Sequence, residues 1–398
     1  VIGPGWAGED RPTPTQARAQ RSRRVAVVTG SRADYGLLRP AMRAIGANPA
    51  LELAVVAAGA HLIPPAHSFR DVKAEFPIAD SVPMQKPGRT TRPDDAEALG
   101  VGVARMARAF RAIEPEWVLV LGDRIEAFAA ACAAAVGGWP LAHVHGGDRA
   151  EGVADEAMRH AISKLAHLHL PATSASAERL EHMGEPAERI HVVGSPAIDG
   201  LDAVEPLTDE AHRALGTPRV ALLLHPVGRP DEAEEHAAGL VIDALQRLRL
   251  PLCVLEPNHD PGRRGVLAAI DAAGLTPVPH MPRERFLALL KRLAIEGGAL
   301  VGNSSAGLIE APALGVRVLD IGPRQHGRQR PPAVHHADDR GQDAPDALER
   351  ALLRTLADPP AAPGEHPYGD GRAGERIAQL LASIDPNTRA MLAKLNAY

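Results

Sequence analysis

Short clusters of this chain combine cations, carboxylates, imidazoles and small residues at spacings that suit chemistry on an anionic substrate. Thr29-Gly30-Ser31-Arg32-Ala33-Asp34-Tyr35-Gly36 reads as a phosphate-binding turn in which Arg32 forms a fork to phosphate oxygens. An ordinary turn with Asp34 as helix N-cap fits the same residues. Gly122-Asp123-Arg124 closes an apolar run and sets a carboxylate beside a cation, with an N-cap Asp as its plain alternative. In His143-Val144-His145-Gly146-Gly147-Asp148, period-two spacing puts both histidines on one strand face, and Asp155, Glu156, Arg159 and His160 follow. A His-x-His pair is a metal-ligand pattern, whereas acid/base chemistry needs only one imidazole or carboxylate. His167 and His169 read as structural.

A second group lies in the later half of the chain. His225-Pro226 and Pro257-Asn258-His259-Asp260 each end a predicted strand. Gly302-Asn303-Ser304-Ser305-Ala306-Gly307 opens a predicted helix carrying Glu310, and free N–H groups at a helix start favour an anion such as pyrophosphate. A Ser N-cap without a ligand fits equally. Glu310 is placed in that helix's second turn. The loop from Gly322 to Arg330 is rich in arginine, and its position at a strand end favours phosphate contact.

The elements that position these clusters follow from hydrophobic periodicity. Strands are predicted at 24–29, 51–57, 117–121, 141–145, 167–170 and 190–193, with helices at 35–45, 96–113, 124–136 and 155–166. After a polar stretch at 200–218 the pattern restarts. Strands are predicted at 220–224, 251–255, 299–301 and 316–321, with helices at 232–248, 265–273, 283–293, 306–314, 343–356 and 375–395. Near-continuous apolar strands suit parallel sheets covered on both faces. The expected fold class is α/β, with two Rossmann-like domains facing across a cleft. The expected division is a disordered tail at 1–23, a first domain at 24–200 with the catalytic residues, a second at 201–374 with the nucleotide site, and a C-terminal helix at 375–398 packing back on the first domain. Ligands of such sheets bind beyond the carboxyl ends of the strands, where these clusters fall.

Composition limits the partners. The chain has 398 residues, a formal net charge of −5 and 3% aromatic residues. That disfavours nucleic acid and anionic membrane, so a phosphate must be held locally. No apolar run reaches the about 18 residues of a membrane span. Cys132 and Cys253 both lie in apolar runs and read as buried free thiols, consistent with a cytoplasmic location.

Taken in order from residue 31 to residue 330, these segments resemble the hydrolysing UDP-N-acetylglucosamine 2-epimerases. The matching pieces are SRADYG (31–36), GDR (122–124), HVHGGDRAEGVADEAMRHAISKLAHLH (143–169), VGSPAID (193–199), HP (225–226), PNHD (257–260), GNSSAGLIEAP (302–312) and IGPRQHGRQR (321–330). The resemblance implies a glycosyltransferase-B-like fold. It also implies elimination of UDP followed by hydration, giving a free sugar inverted at C2. Asp123, His145, Asp155 and Glu156 would then face the sugar. Arg32, Arg124, His225, Asn258, His280, Ser304, Ser305, Glu310 and Arg324 would hold UDP. Some relatives, including the non-hydrolysing branch, carry glutamate where this chain has His145. No cofactor and no metal is implied, and the expected assembly is a homo-oligomer, dimer or tetramer. Other readings are a glycosyltransferase of the same fold, a metal-dependent hydrolase using His143 and His145, and a non-catalytic nucleotide-sugar sensor.

Overall fold

The structure, a computed structural model, describes residues 22–64, 68–89, 91–149, 156–258, 260–279, 281–340, 344–359 and 366–397. Residues 1–21 of the expected tail, and residues 360–365, lie outside these residues. So do the candidate site residues Asp155 and His280.

Two parallel sheets organise the chain. The first contains β1 (Arg23–Thr29), β2 (Leu51–Ala58), β3 (Ile78–Val82), β4 (Trp117–Leu121), β5 (Leu141–Val144) and β6 (Leu168–Leu170), in the spatial order β3-β2-β1-β4-β5-β6. This is the doubly wound order of a dinucleotide-binding sheet. The second contains β7 (Val220–Leu223), β8 (Leu252–Val254), β9 (Ala299–Gly302), β10 (Arg317–Ile321) and β11 (Val334–Ala337), in the order β11-β10-β9-β7-β8. All named pairs are parallel.

The apolar runs form strands because both sheet faces are covered. In β1 and β4, Val25, Val27, Trp117 and Leu119 enter one core with Leu38, Met42 and Ile45. Ala26, Val28, Val118 and Val120 enter the other with Met106, Phe110, Ala130 and Ile162. Each strand thus sends alternate residues to opposite cores, which is why polar alternation is missing.

The structure corrects several sequence expectations. Arg23, assigned to the tail, begins β1 and donates to the carbonyls of Leu381 and Ile384 at 3.2 and 2.9 Å. The expected strand at 190–193 is a single bridge between Ile190 and His169. Edge strands β3 (IADSV) and β11 (VHHA) were not anticipated, because neither has a continuous apolar run. The helix expected at 306–314 is a 3₁₀ turn at Ser305–Gly307 followed by the short helix Glu310–Ala313. Pro312 is the cause: it has no N–H and its ring clashes with the carbonyl of Leu308 four residues back. Glu310 therefore begins a helix rather than occupying a second turn. The helix expected at 375–395 stops at Ser383, with a separate turn at Arg389–Leu392. Cys253 is buried, but Cys132 is only partly so.

The chain's return joins the two halves. Helix Ala373–Ser383 buries Ile377, Ala378 and Leu381 in the core that also holds β1 and helix Arg32–Ala47. Asp199 caps it, accepting from Ala373 N at 3.0 Å and Gly374 N at 2.6 Å. Among the described residues no helix is long and apolar enough to cross a membrane.

Candidate active site

The carboxyl ends of the two sheets approach one another through specific contacts. Arg328 Nε donates to Arg149 O at 2.9 Å, and Arg179 bonds the Gly327 carbonyl. Arg283 Nη2 donates to Ala197 O at 2.7 Å. The Arg-rich loop after β10 thereby covers the turn after β5.

On the first sheet's side, Arg159 gathers the acidic residues. It lies on helix Glu156–Leu165 and is buried at 3% exposure. Its guanidinium pairs with Asp123, donates to Glu156 Oε2 at 2.5 Å and donates to Asp148 O at 3.0 Å. Burial, aided by the charge of Arg328, lowers its pKa to about 9, so the cation persists at neutral pH. Sequence reading put Asp123 at a strand end and Glu156 at the start of a helix. Arg159 brings them into one network; the sequence reading named it without giving it a role, although Glu156 and Arg159 lie at helical i, i+3 spacing.

The two histidines of the His-x-His pair part company. His143 points into the fold: its Nε2 donates to Gly122 O at 2.8 Å and its Nδ1 meets Ser163 Oγ at 3.1 Å. Burial lowers its pKa to about 3, so it is neutral. With both ring nitrogens engaged, it has no lone pair for a metal ion. His145 lies beyond the end of β5 with φ of 62°, which removes it from the period-two face assumed for the pair. His167 and His169 are structural as expected. Leu141 N donates to His167 Nδ1 at 3.2 Å, and His169 Nε2 meets buried Glu185 at 2.9 Å.

The turn at 29–36 also departs from expectation. Ser31 is the N-cap of helix Arg32–Ala47, and Asp34 occupies the third position of a capping box. Gly30 N and Ser31 N donate to the Asp34 carboxylate at 2.7 and 2.6 Å. The backbone N–H groups of this turn thus serve Asp34 rather than facing outward, and Arg32 is the first residue of the helix. Its guanidinium is half exposed and 3.7 Å from Asp71. Arg124 is the N-cap residue of helix Ile125–Gly137 and lies 3.6 Å from Glu126.

The second sheet's strand ends form one polar cluster. Asn303 clamps the main chain of His225, accepting from its N–H and donating to its carbonyl, both at 2.7 Å. This needs a close approach of β9 to β7. Gly302 has φ of 146°, and a Cβ there would lie 2.0 Å from Leu223 O, so only glycine permits it. Asn258 N donates to His225 Nδ1 at 3.2 Å. Burial lowers the His225 pKa to about 3, helped by Arg324. The ring is therefore neutral, and because Nδ1 accepts, Nε2 carries the proton and is a donor. Arg324 Nη1 and Gln325 Nε2 both donate to Asn303 O, at 3.3 and 2.8 Å. Ser304 caps the 3₁₀ turn through Ala306 N at 3.4 Å, and Ser305 begins that turn. Glu310 is buried and accepts from Arg283 Nη1 at 2.6 Å. Asn303 and Gln325 stood inside the motifs read from the sequence, but their central placement depends on the Gly302 backbone.

Two other features lie apart from these clusters. His326, His336 and Asp338 have side-chain ligand atoms within 4.8 Å of one another and could hold a metal ion. A hollow of about 420 Å³ beside Arg229, Pro230, His236 and Asp339 is lined by none of the residues singled out above.

Residues 43–382 match the family model described as UDP-N-acetylglucosamine 2-epimerase. A UDP-N,N'-diacetylbacillosamine 2-epimerase (hydrolyzing) of Legionella pneumophila is 34% identical over 387 residues, which cover 94% of this chain and 100% of that protein. A UDP-N-acetylglucosamine 2-epimerase of Neisseria meningitidis is 30% identical, covering 83% of this chain and 87% of that protein. Among solved structures, a UDP-GlcNAc 2-epimerase from Neisseria meningitidis bound to UDP-GlcNAc superposes with a TM-score of 0.74 at 18% identity, covering 91% of this chain and 100% of that one. The last likeness supports the two-Rossmann, glycosyltransferase-B-like fold. On the family match and the two curated relatives, the chain belongs to the UDP-N-acetylglucosamine 2-epimerase family.

Proposed function

We propose that this protein is a hydrolysing 2-epimerase. It converts UDP-N-acetylglucosamine, or a 2,4-diacetamido variant, to UDP and a free sugar inverted at C2. The observation that carries the reading is the single network in which Arg159 holds Asp123 and Glu156 next to the Asp148–His145 pair. Elimination across C1–C2 followed by hydration needs acid and base groups around a sugar, together with stabilisation of departing pyrophosphate. Asp123, His145, Asp155 and Glu156 are assigned to the sugar. Arg32, Arg124, His225, Asn258, His280, Ser304, Ser305, Glu310 and Arg324 are assigned to UDP.

The second-sheet cluster suits this division. The neutral His225 offers Nε2–H and Arg324 offers a buried cation, so both can donate to UDP oxygens without mutual repulsion. Glu310 can accept from ribose hydroxyls once Arg283 shares it. A base removes the C2 proton as UDP leaves C1, giving a glucal-like intermediate. Water then adds at C1 while an acid returns a proton to C2 from the other face.

The 34% identity to an enzyme named for N,N'-diacetylbacillosamine supports the 2,4-diacetamido form as a substrate to be tried beside UDP-N-acetylglucosamine. The test is to incubate the protein with each nucleotide sugar and separate the products. Released UDP with free manno-configured sugar is expected from one of the two. Accumulation of an intact UDP-manno-sugar would instead assign the non-hydrolysing reaction, and transfer to an added acceptor with C2 unchanged would assign a glycosyltransferase.

A further inference from the structure

The connection from β10 to β11 folds back on the strand it leads to. Gly322 leaves β10 with φ of 67°, and a Cβ there would lie 2.9 Å from the Asp339 carboxylate, so the loop starts against the end of β11. His326 N donates to Pro323 O at 2.8 Å, which closes a turn within the loop. The turn brings the His326 ring to His336 of β11, with centroids 5.4 Å apart and planes at 54°.

Alternation along β11 sorts its polar side chains. His335 pairs with Asp358 at 3.2 Å. His336 and Asp338, two residues apart, share the other side, and His336 Nε2 is 3.5 Å from Asp338 Oδ1. Ligand atoms of His326, His336 and Asp338 all lie within 4.8 Å of one another. Two ligands of one tetrahedral ion, each about 2.0–2.2 Å from it, stand about 3.3–3.6 Å apart. The His336–Asp338 spacing already meets that, and His326 joins with roughly 1 Å of side-chain movement.

The second nitrogen of His336 has an orienting carboxylate. Asp320 is its register partner on β10 and is 1% exposed. Asp320 Oδ2 lies 3.2 Å from His336 Nδ1 and accepts from Arg330 Nη2 at 2.8 Å. The bond to Asp320 raises the His336 pKa against the effect of burial. With the Nδ1 proton directed to Asp320, Nε2 presents its lone pair to an ion once its own proton is displaced. A carboxylate behind a histidine ligand is the usual support of a metal centre.

We propose that His326, His336 and Asp338 form a zinc site, with water as fourth ligand, that pins the arginine-rich loop to β11. Two imidazoles and one carboxylate suit Zn²⁺, whereas Mg²⁺ and Ca²⁺ favour all-oxygen sets. Fe²⁺ binds such a set more weakly than Zn²⁺ does. Asp320 and Asp338 against Arg330 leave one negative charge to meet the dication. The pinned loop carries Arg324 and Gln325, which reach Asn303 O, and Arg328, which reaches Arg149 O. None of the three ligands is assigned to the sugar or to UDP, so the ion steadies the loop and takes no part in the reaction. The site is therefore independent of the epimerase reading, and its test needs no substrate.

The test uses the untagged full-length chain, stripped of metal and titrated with Zn²⁺ by calorimetry. One equivalent should bind with a Kd of about 1 μM or tighter. His326→Ala and Asp338→Asn should each weaken that binding by about 100-fold or more, and Asp320→Asn by about 10–100-fold although it keeps all three ligands. With free Zn²⁺ at about 100 times its Kd, the parent's Tm should rise by about 5–11 °C, and that of His326→Ala should stay put. Co²⁺ in place of zinc should give the visible absorption of a tetrahedral ion in the parent and not in the ligand variants.

No saturable binding by the parent, or parental Zn²⁺ affinity in both ligand variants, would overturn the site and leave only a surface pairing of histidines with carboxylates. An octahedral Co²⁺ spectrum would overturn the four-coordinate assignment. If Asp320→Asn does not fold, the His326 and Asp338 variants still decide, because neither removes a buried group.

Discussion

Arg159 offers the sharpest structural test because one buried cation serves three acceptors. Replacing it with methionine keeps much of the volume but removes the shared donor of Asp123, Glu156 and the Asp148 carbonyl, with Glu156 keeping His160 Nε2 at 3.2 Å. Removing one partner of a buried ion pair costs about 3–5 kcal/mol. The Asp123 and Glu156 side chains are 22% and 29% exposed, so water recovers part of that loss and the lower end, about 3 kcal/mol, is expected. For a cooperative unit of 150–250 residues, each kcal/mol moves Tm by roughly 2–4 °C, giving a drop of about 6–12 °C. Arg159→Lys should fall between, since a point charge cannot reproduce the fork. The assay is differential scanning calorimetry beside UDP-release kinetics. Both variants should lose kcat while UDP affinity stays near the parental value, because the second-sheet cluster is untouched. A methionine variant melting within 2 °C of the parent and retaining its kcat would refute the claim that Arg159 organises the site; the threshold is about 1 kcal/mol or less.

Other perturbations probe separate parts. Asp123→Asn should abolish turnover while UDP still binds by calorimetry, and near-normal rates would remove Asp123 from the chemistry. Asn303→Ala should weaken UDP binding about 10–100-fold, the loss of roughly 1.4–2.8 kcal/mol, by freeing the His225 main chain; unchanged affinity would contradict the clamp. Acid should unfold the protein early. His143 and His225 have folded pKa values of about 3 and His167 of about 4, all below the ordinary 6.5, so the unfolded chain binds more protons in between. Their stabilising contribution is complete above about pH 6.5 and is lost as pH falls toward 3–4, so Tm should decline across that window. A flat Tm from pH 6.5 to 4.5 would contradict their burial as neutral rings. Exhaustive chelation should leave turnover intact if the reaction uses the residues assigned above; activity restored only by added metal would revive the hydrolase reading.

The sequence made the fold legible wherever strands are buried on both faces, as in β1, β4 and β7, because each then reads as an unbroken apolar run. Edge strands β3 and β11 escaped because one side of each needs no apolar partner. The site residues on strand ends were visible as polar breaks in that pattern. What the pattern could not carry was the direction of a side chain after a turn. His143 and His145 are two residues apart, yet a positive φ at His145 sends one ring into the core and the other toward Ser195. Asp34 was read as a possible helix N-cap, whereas Ser31 is the cap and Asp34 closes the capping box from the third position. Ser195 sat inside a recognised motif, but its contact with His145 joins residues 50 apart in sequence. The break at Pro312 was legible in principle, since an internal proline interrupts any helix.

The most direct test of the central claim is proton NMR of the reaction in heavy water, using UDP-N-acetylglucosamine and its 2,4-diacetamido counterpart. The account predicts UDP release together with a free manno-configured sugar carrying deuterium at C2. A free sugar that kept its C2 proton, or one released without inversion, would contradict elimination and hydration at this site.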